Sequence, residues 1–151
     1  MDGRPSAIVR QSPVAEMASR LAFVESTLLT ELNLRLGEEK SSFEQWHILE
    51  VVSLLDGPTM GELALASGMP NASLSRIVDA LEDSASVFRR PTTTDRRRIA
   101  VYLSRHGEER LIRMRDIVAA WEQSIEATIG ADALASLASA AMRVENRLRS
   151  L

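Results

Sequence analysis

Five arginines and one aspartate are concentrated in residues 89–98, which read RRPTTTDRRR. Guanidinium groups bind phosphate oxygens through paired hydrogen bonds, so a dense group of arginines is a candidate site for a polyanion. The whole chain has a formal net charge of −3, whereas residues 86–105 hold six arginines against Asp95 alone and carry +5. Charges are screened beyond about 10 Å, so this basic segment acts independently of the total charge. The alternative is a solvated loop, and the neighbouring elements must decide between the two.

The sequence lacks the residues that most other kinds of site chemistry require. The chain has no cysteine, which excludes disulfides, thiolate nucleophiles, cysteine-ligated zinc and thiol-based redox sensing. The two histidines, His47 and His106, each lie near two glutamates but form no His-rich cluster, so we predict no metal site and no cofactor. There is no glycine-rich phosphate loop and no matched Ser, His and Asp arrangement, so we expect no enzymatic activity.

Length and composition are those of one globular domain. The chain has 151 residues, of which 45% are hydrophobic and 26% charged. No apolar run is long enough for a membrane span, and the first residues lack the apolar core of a signal peptide. We therefore expect a single domain over residues 1–151, no membrane association and a cytoplasmic location.

Helical signals surround the basic segment. Ser12 and Pro13 predict the start of a long amphipathic helix that stops near Gly37. Ser42 and Thr59, each followed three residues later by Gln or Glu, predict the starts of two more helices. After residue 104, two further segments carry apolar residues at helical spacing.

The sequence GELALASGMPNASLSRIVDAL, residues 61–81, predicts two helices joined by a tight turn at Gly68. The second helix begins with short polar side chains and Arg76, which suit an N-terminus that touches base edges in a major groove. The spacing alone is a weak signal, because helical hairpins with a glycine turn are common.

The segments SVFRR and IAVYLS predict two β-strands with the basic segment at their connecting tip. A hairpin after a helix-turn-helix is the winged-helix layout. We predict a mainly α fold with a small β-hairpin wing: a winged helix at about 41–104, flanked by long dimerisation helices at about 10–36 and 105–151. The arginines then lie where they reach phosphates or a narrow minor groove, which answers the question of the basic segment.

The three flanking helices carry more apolar surface than a small winged helix can cover. We predict that the surplus forms a homodimer interface. The alternative is a monomeric helical bundle.

At this point the sequence resembles the MarR family of bacterial winged-helix transcriptional regulators. The similarity runs from SSFEQWHILEVV to VFRRPTTTDRRRIAVYLSRHG, nearly half of the chain. Its specific part is an ordered set of residues: Gln45 and Trp46; Glu62, Leu63 and Ala64; Ser75, Arg76, Val78 and Asp79; Asp95, Arg96 and Arg97; Leu103, Ser104 and Gly107.

The resemblance implies a homodimer that binds double-stranded DNA at a pseudo-palindromic operator, with the recognition helix in the major groove and the wing in the flanking minor groove. In the wing, the Asp95 carboxylate would brace the guanidinium of Arg97. The implied DNA-binding residues are Asn71, Ala72, Ser73, Ser75 and Arg76 in the helix, and Arg90, Asp95, Arg96, Arg97 and Arg98 in the wing.

Two departures from the family pattern affect the predicted details. Pro70 stands where Ser or Thr usually caps the recognition helix, so we expect Asn71 to cap instead and to shift the helix start by one residue. Ala85 and Ser86 stand where glycine and a large aliphatic residue are common. A left-handed backbone at Ala85 would be strained, so we expect the turn into the wing to differ.

The resemblance also implies a repressor that a small aromatic or phenolic effector releases from DNA. The candidate lining residues of the effector cleft are Arg20, Phe23, Leu28, Trp46 and His47. Three alternatives stay open: a regulator without an effector, a winged-helix module for protein interaction or dimerisation, and an enzyme or carrier that uses the helical cleft. The basic wing argues against the last, because a carrier has no need of it.

Overall fold

The structure is a computed structural model that describes residues 12–150. A short 3-10 turn, Gly37–Glu39, follows the first helix. In chain order the elements are α1 (Pro13–Leu36), α2 (Phe43–Leu55), α3 (Met60–Ser67), α4 (Asn71–Asp83), β1 (Val87–Pro91), β2 (Ile99–Leu103), α5 (Arg105–Ile129) and α6 (Ala131–Leu148). The prediction of a mainly α fold with a small β-hairpin wing is confirmed.

Local sequence sets the helix boundaries. The Ser42 side chain accepts a hydrogen bond from the backbone N–H of Gln45, which caps α2. Thr59 and Glu62 form a reciprocal capping box at the start of α3. Helix α3 ends at Gly68, whose φ of 68° lies in the left-handed region that glycine adopts without strain. These boundaries agree with the predicted ones.

The apolar core lies where α2, α3, α4, the wing and the first half of α5 meet. Leu49, Leu63, Leu74, Val101 and Leu111 come from these five elements in turn, and each is at most 1% exposed. Burying a leucine side chain stabilises the fold by about 1.5–3 kcal/mol. This core therefore fixes the three elements that precede the wing against the wing itself.

The wing is an antiparallel hairpin with a short addition that the sequence did not predict. Val87 pairs with Leu103 at its base and Pro91 with Ile99 near its tip. The segment before α3 also joins β2, since Thr59 forms an isolated bridge with Ala100. The backbone carbonyl of Pro58 accepts a hydrogen bond of 2.8 Å from Val101. The start of the helix-turn-helix is thus tied to the wing.

The described chain divides after Glu31 into two compact units. In the first, residues 13–31 form helix that exposes Val14 and Phe23, and Arg20 pairs with Glu16 one turn away. In the second, α6 has no buried residue. Within residues 12–150, no helix combines the length and the apolar character that crossing a membrane requires.

Candidate nucleic-acid interface

Helix α4 presents a polar face to solvent and an apolar face to the core. Leu74, Val78 and Leu81 are buried. Four of the five predicted recognition residues are exposed and Ser73 is half-buried; the exposed residues are Asn71, Ala72, Ser75 and Arg76. The only side-chain hydrogen bond that Arg76 makes within the described residues is a long one of 3.4 Å to the carbonyl of Ala72. The polar side chains of this helix are therefore open to solvent.

The expectation that Asn71 caps this helix is wrong. Helix α4 begins at Asn71, and Pro70 occupies the N-cap position with an extended backbone. Pro70 has no side-chain hydrogen-bond acceptor, so the first turn is left without a side-chain cap. The fixed φ of proline, here −60°, still suits the entry into a helix.

The turn from α4 into the wing passes through Ala85 with a φ of 55°. We expected the turn to avoid a left-handed backbone at Ala85 because alanine is strained there, but the chain adopts it. The start of α5 supplies the compensation: Ser104 donates through its hydroxyl to the carbonyl of Ala85 at 2.6 Å. Gly107 packs so closely that an added Cβ would lie 1.9 Å from the carbonyl oxygen of Ser86.

The side chain of Arg89, at the base of the wing, points toward helix α4. Its guanidinium donates to Asp79 at 2.7 Å and to Glu82, both on α4. Burial lowers the pKa of Arg89, but the hydrogen bonds and charges of the two carboxylates outweigh it and hold this pKa above its usual value. The sequence patterns did not predict this role. The signal was the three-residue spacing of Asp79 and Glu82, which places both carboxylates on one side of the helix.

Arg90 lies on the opposite face of β1 from Arg89. Its guanidinium is 4.7 Å from the centroid of the Tyr102 ring and 5.9 Å from that of Phe88. The two rings stack on each other with centroids 5.7 Å apart. A cation over aromatic rings keeps its outer hydrogen-bond donors available, so Arg90 retains the predicted capacity for phosphate.

The tip of the wing is a hydrogen-bonded turn built around Asp95. Its carboxylate accepts a hydrogen bond of 2.9 Å from the backbone N–H of Arg97. Thr92 donates through its hydroxyl to the Asp95 carbonyl at 2.7 Å, and the backbone N–H of Thr92 donates to the carbonyl of Arg98 at 2.8 Å. The expected brace between Asp95 and the guanidinium of Arg97 is corrected accordingly: the carboxylate holds the backbone, as aspartate commonly does in turns.

The guanidinium groups of Arg96 and Arg97 are exposed, and neither has a carboxylate partner in the part of the chain that the structure describes. Arg98 differs, because its guanidinium lies 3.4 Å from a carboxylate oxygen of Glu62. The basic segment is therefore graded: its base is paired within the protein and its tip is available. Arg96 and Arg97 at the tip, and Arg90 over its aromatic rings, can neutralise phosphates without first breaking an ion pair, whereas Arg89 and Arg98 cannot.

The five residues predicted for an effector cleft fall in both compact units. Arg20, Phe23 and Leu28 lie on the N-terminal part of α1, where Arg20 is exposed and paired with Glu16. Trp46 and His47 lie on α2 and both rings pack near Phe43; the His47 ring stacks on it at 5.8 Å. Packing against Phe43 therefore accounts for the position of the His47 ring.

A separate hollow of about 370 Å³ lies within the second unit. It is bounded by Phe88 and Tyr102 of the wing, by Ser53 of α2, and by Ile112 and Arg115 of α5. None of the five predicted cleft residues lines it. Arg115 is held at its edge by a bidentate ion pair with Glu50, at 2.8 Å for both bonds. Across residues 12–150, no group of three potential metal-ligating side chains occurs.

The fold and these exposed elements define a winged helix-turn-helix DNA-binding regulator: a helix with a polar outer face lies beside a hairpin whose tip is basic. Residues 42–98, from the start of α2 to the tip of the wing, match the model of the MarR family. The match covers 57 of the 151 residues, and the proteins of this family are transcription regulators.

Solved structures with this fold include several regulators. A mutant MarR from E. coli complexed with operator DNA is 21% identical, with a TM-score of 0.80 over 87% of this chain and 94% of that one. The transcriptional repressor CouR bound to a 23-mer DNA duplex is 19% identical, with a TM-score of 0.79 over 89% and 99%. The organohalide-sensing regulator RdhR-CbdbA1625 bound to 2,4-dichlorophenol is 16% identical, with a TM-score of 0.86 over 95% and 86%. Comparison with curated protein sequences found no match.

Proposed function

We propose that the protein is a homodimeric repressor that binds a pseudo-palindromic DNA operator and is released by a small aromatic or phenolic effector. Its DNA-binding residues are the ten predicted from the sequence: Asn71, Ala72, Ser73, Ser75 and Arg76 of α4, and Arg90, Asp95, Arg96, Arg97 and Arg98 of the wing. In this proposal α4 reads base edges in the major groove and the wing tip binds the backbone and minor groove.

One observation carries the DNA-binding surface. The exposed polar face of α4 and the unpaired arginines of the wing tip belong to elements that a single core holds together. An external polyanion with grooves matches both features, because base edges require positioned hydrogen-bond donors and phosphates require unpaired cations. Two unpaired cations beside a polar helix face favour a polyanion over a protein partner, because they add to affinity mainly by neutralising phosphates.

Exposed apolar side chains support the homodimer. Helix α6 buries none of its residues, yet Leu137, Met142, Val144 and Leu148 lie along it and are 38–62% exposed. Ile129, at the end of α5, is 47% exposed. Covering such a surface with a second copy removes apolar area from water and stabilises the pair. The dimer would use residues of about 10–35 and 108–151.

Light scattering at micromolar concentration tests the dimer, with an expected mass twice the 16.6 kDa of the chain. Genomic selection of bound DNA then tests the function: we expect a pseudo-palindrome whose half-sites lie about one helical turn apart. A persistent monomer would contradict both the interface and the symmetric operator. Selection of random fragments only would contradict sequence-specific binding.

Effector release is supported by the hollow beside the wing and by the ligand of one structural neighbour. An apolar cavity of about 150 Å³ can hold a benzene ring; the hollow of about 370 Å³ is larger, opens to solvent and has both apolar and charged lining residues. RdhR-CbdbA1625 has been solved with 2,4-dichlorophenol bound. We expect some phenol or aromatic carboxylate to raise the melting temperature and weaken operator binding, whereas peroxide should leave binding unchanged because the chain has no cysteine.

Two variants distinguish the hollow from the cleft predicted at α1 and α2. Ile112→Trp fills the hollow from its exposed side, and Phe23→Ala removes a ring from the predicted cleft. Loss of the effector response in only one of them assigns the site. If no aromatic compound in a broad library changes either the melting temperature or the DNA affinity, the protein is a repressor without an effector.

A further inference from the structure

Arg110 is a buried cation that the sequence patterns do not mark. It lies in the second turn of α5 and is 6% exposed. Its Nη1 donates to the hydroxyl of Ser86 at 2.9 Å and to that of Ser84 at 3.3 Å. Its Nη2 donates to the backbone carbonyls of Glu39 at 2.7 Å and Lys40 at 3.0 Å. Burial lowers the pKa of this guanidinium, as expected where every direct partner is neutral.

The four partners belong to the C-terminal ends of two helical segments. Ser84 follows directly after α4, and Glu39 and Lys40 end the 3-10 turn after α1. On one side the guanidinium donates to two backbone carbonyls, those of Glu39 and Lys40, which carry partial negative charge; on the α4 side its acceptors are the Ser84 and Ser86 hydroxyls. Because the guanidinium is planar and rigid, its two sides fix how far apart the two ends lie.

No other contact described near the end of α4 connects it to residues 39–40. Ser104 and Gly107 hold the turn at Ala85 and Ser86, but neither contacts residues 39–40. Arg113, one turn further along α5, pairs through a bidentate contact with the Glu39 carboxylate at 2.8 and 3.0 Å. Arg113 makes no hydrogen bond to the α4 corner within the described chain. It is therefore a matched control for charge and for position on α5.

We infer that Arg110 is a positioning residue for sequence reading: it holds the C-terminal end of the recognition helix against the connection before α2. This inference rests on the proposed DNA-binding function of α4. Hydrogen bonds to base edges require donors in fixed positions, whereas phosphate contacts depend mainly on charge. Removing Arg110 should therefore weaken binding to the operator more than binding to random DNA.

The experiment compares Arg110→Met and Arg110→Lys with Arg113→Met in the full-length protein. Circular dichroism and urea unfolding first establish a temperature at which each variant is folded. Affinities for the selected operator and for a scrambled duplex are then measured over a series of salt concentrations. The methionine variants each remove one positive charge from the same helix, so a change in net charge alone does not distinguish them.

For Arg110→Met we expect the operator-to-scrambled affinity ratio to fall by about tenfold or more, the scale of a mismatched base pair, with the salt dependence unchanged. Arg110→Lys should lose selectivity as well, because an ammonium cannot form the same four-bond fork. Arg113→Met should keep the ratio within about twofold of the unmodified protein, as expected for a charge that contacts neither DNA nor α4.

A second route covers the case in which Arg110→Met does not fold. The double variant Ser84→Ala, Ser86→Ala removes the α4 side of the contact and leaves Arg110 bound to Glu39 and Lys40. It should reproduce the loss of selectivity. If a folded Arg110→Met, or this double variant, keeps the selectivity of Arg113→Met, Arg110 contributes only to stability and the inference is overturned. If the unmodified protein itself prefers no sequence, the proposed function has failed instead.

Discussion

The base and the tip of the wing contain the same residue type in opposite roles. At the base, Arg89 is bound by Asp79 and Glu82 of α4, and its side chain is 26% exposed. At the tip, Arg96 and Arg97 are exposed and have no carboxylate partner among the described residues. A run of arginines in sequence is therefore not one uniform basic patch. The arginine nearest the scaffold orients the hairpin, and those farthest from it are available to a partner.

The backbone packs tightly at the base of the wing, where Gly107 of α5 meets Ser86, so we expect this place to tolerate no added side-chain volume. Gly107→Ala would place a Cβ against the backbone carbonyl of Ser86, which cannot move without shifting β1. We expect it to lower the free energy of unfolding by about 3 kcal/mol, as measured by urea denaturation. The control is Gly61→Ala in α3, where nothing lies within 4 Å of the added atom. That variant should be neutral or slightly stabilising, and an equal loss in both would refute the close-packing argument.

Arg76→Ala tests the recognition helix against the wing. Arg76 is exposed on the polar face of α4, so a bidentate contact to a base would make its loss cost about 1–3 kcal/mol on the operator. Its effect on unrelated DNA should be small, as measured by fluorescence anisotropy with both duplexes. An equal loss on both would assign Arg76 to the phosphate backbone.

Arg97→Ala should separate the tip from the base in a different way. Loss of an available cation should weaken binding to operator and random DNA alike. It should also flatten the plot of log affinity against log salt by about one unit per half-site. Arg89→Ala is the matched change at the base: it should reduce thermal stability, because it leaves two carboxylates of α4 without their partner. An unchanged salt slope in Arg97→Ala would contradict a phosphate or groove contact at the tip.

Asp95→Ala removes a negative charge from the tip, yet we expect it to weaken DNA binding. Its carboxylate fixes the backbone N–H of Arg97, so the turn that presents the arginines should loosen. The expected loss is a part of that of Arg97→Ala, measured by the same titration. Asp83→Ala is the charge-matched control, since Asp83 is exposed and makes no side-chain hydrogen bond or ion pair within residues 12–150. Tighter binding by Asp95→Ala would show that charge alone governs the tip.

Ala85→Gly should have the smallest effect and the opposite sign. A left-handed alanine costs about 1–2 kcal/mol, whereas glycine adopts this backbone freely but loses more entropy on folding. We expect a net gain of about 0.5–1 kcal/mol in the free energy of unfolding, with DNA affinity unchanged. A decrease in stability would mean that the hydrogen bonds of Ser104 fully relieve the strain.

Much of the fold followed from local signals. The capping pairs at Ser42 and Thr59 and the turn at Gly68 marked the helix boundaries, because each satisfies backbone groups within a few residues. The start of α4 could not be settled in this way. A proline at position 70 left two possible start positions, and the helix begins at Asn71, directly after Pro70, whose fixed φ suits the entry into a helix.

The candidate site, like the fold, could be predicted from the sequence only in part. The sequence by itself determined the winged-helix order, the polar face of α4 and the presence of a basic wing, because periodicity, caps and residue type act over short distances in the chain. Only the tertiary structure decided which arginines are available: pairing of Arg89 with α4 and burial of Arg110 join residues 7–71 positions apart. Such contacts depend on how elements pack in space, and residue type and local spacing do not encode that packing.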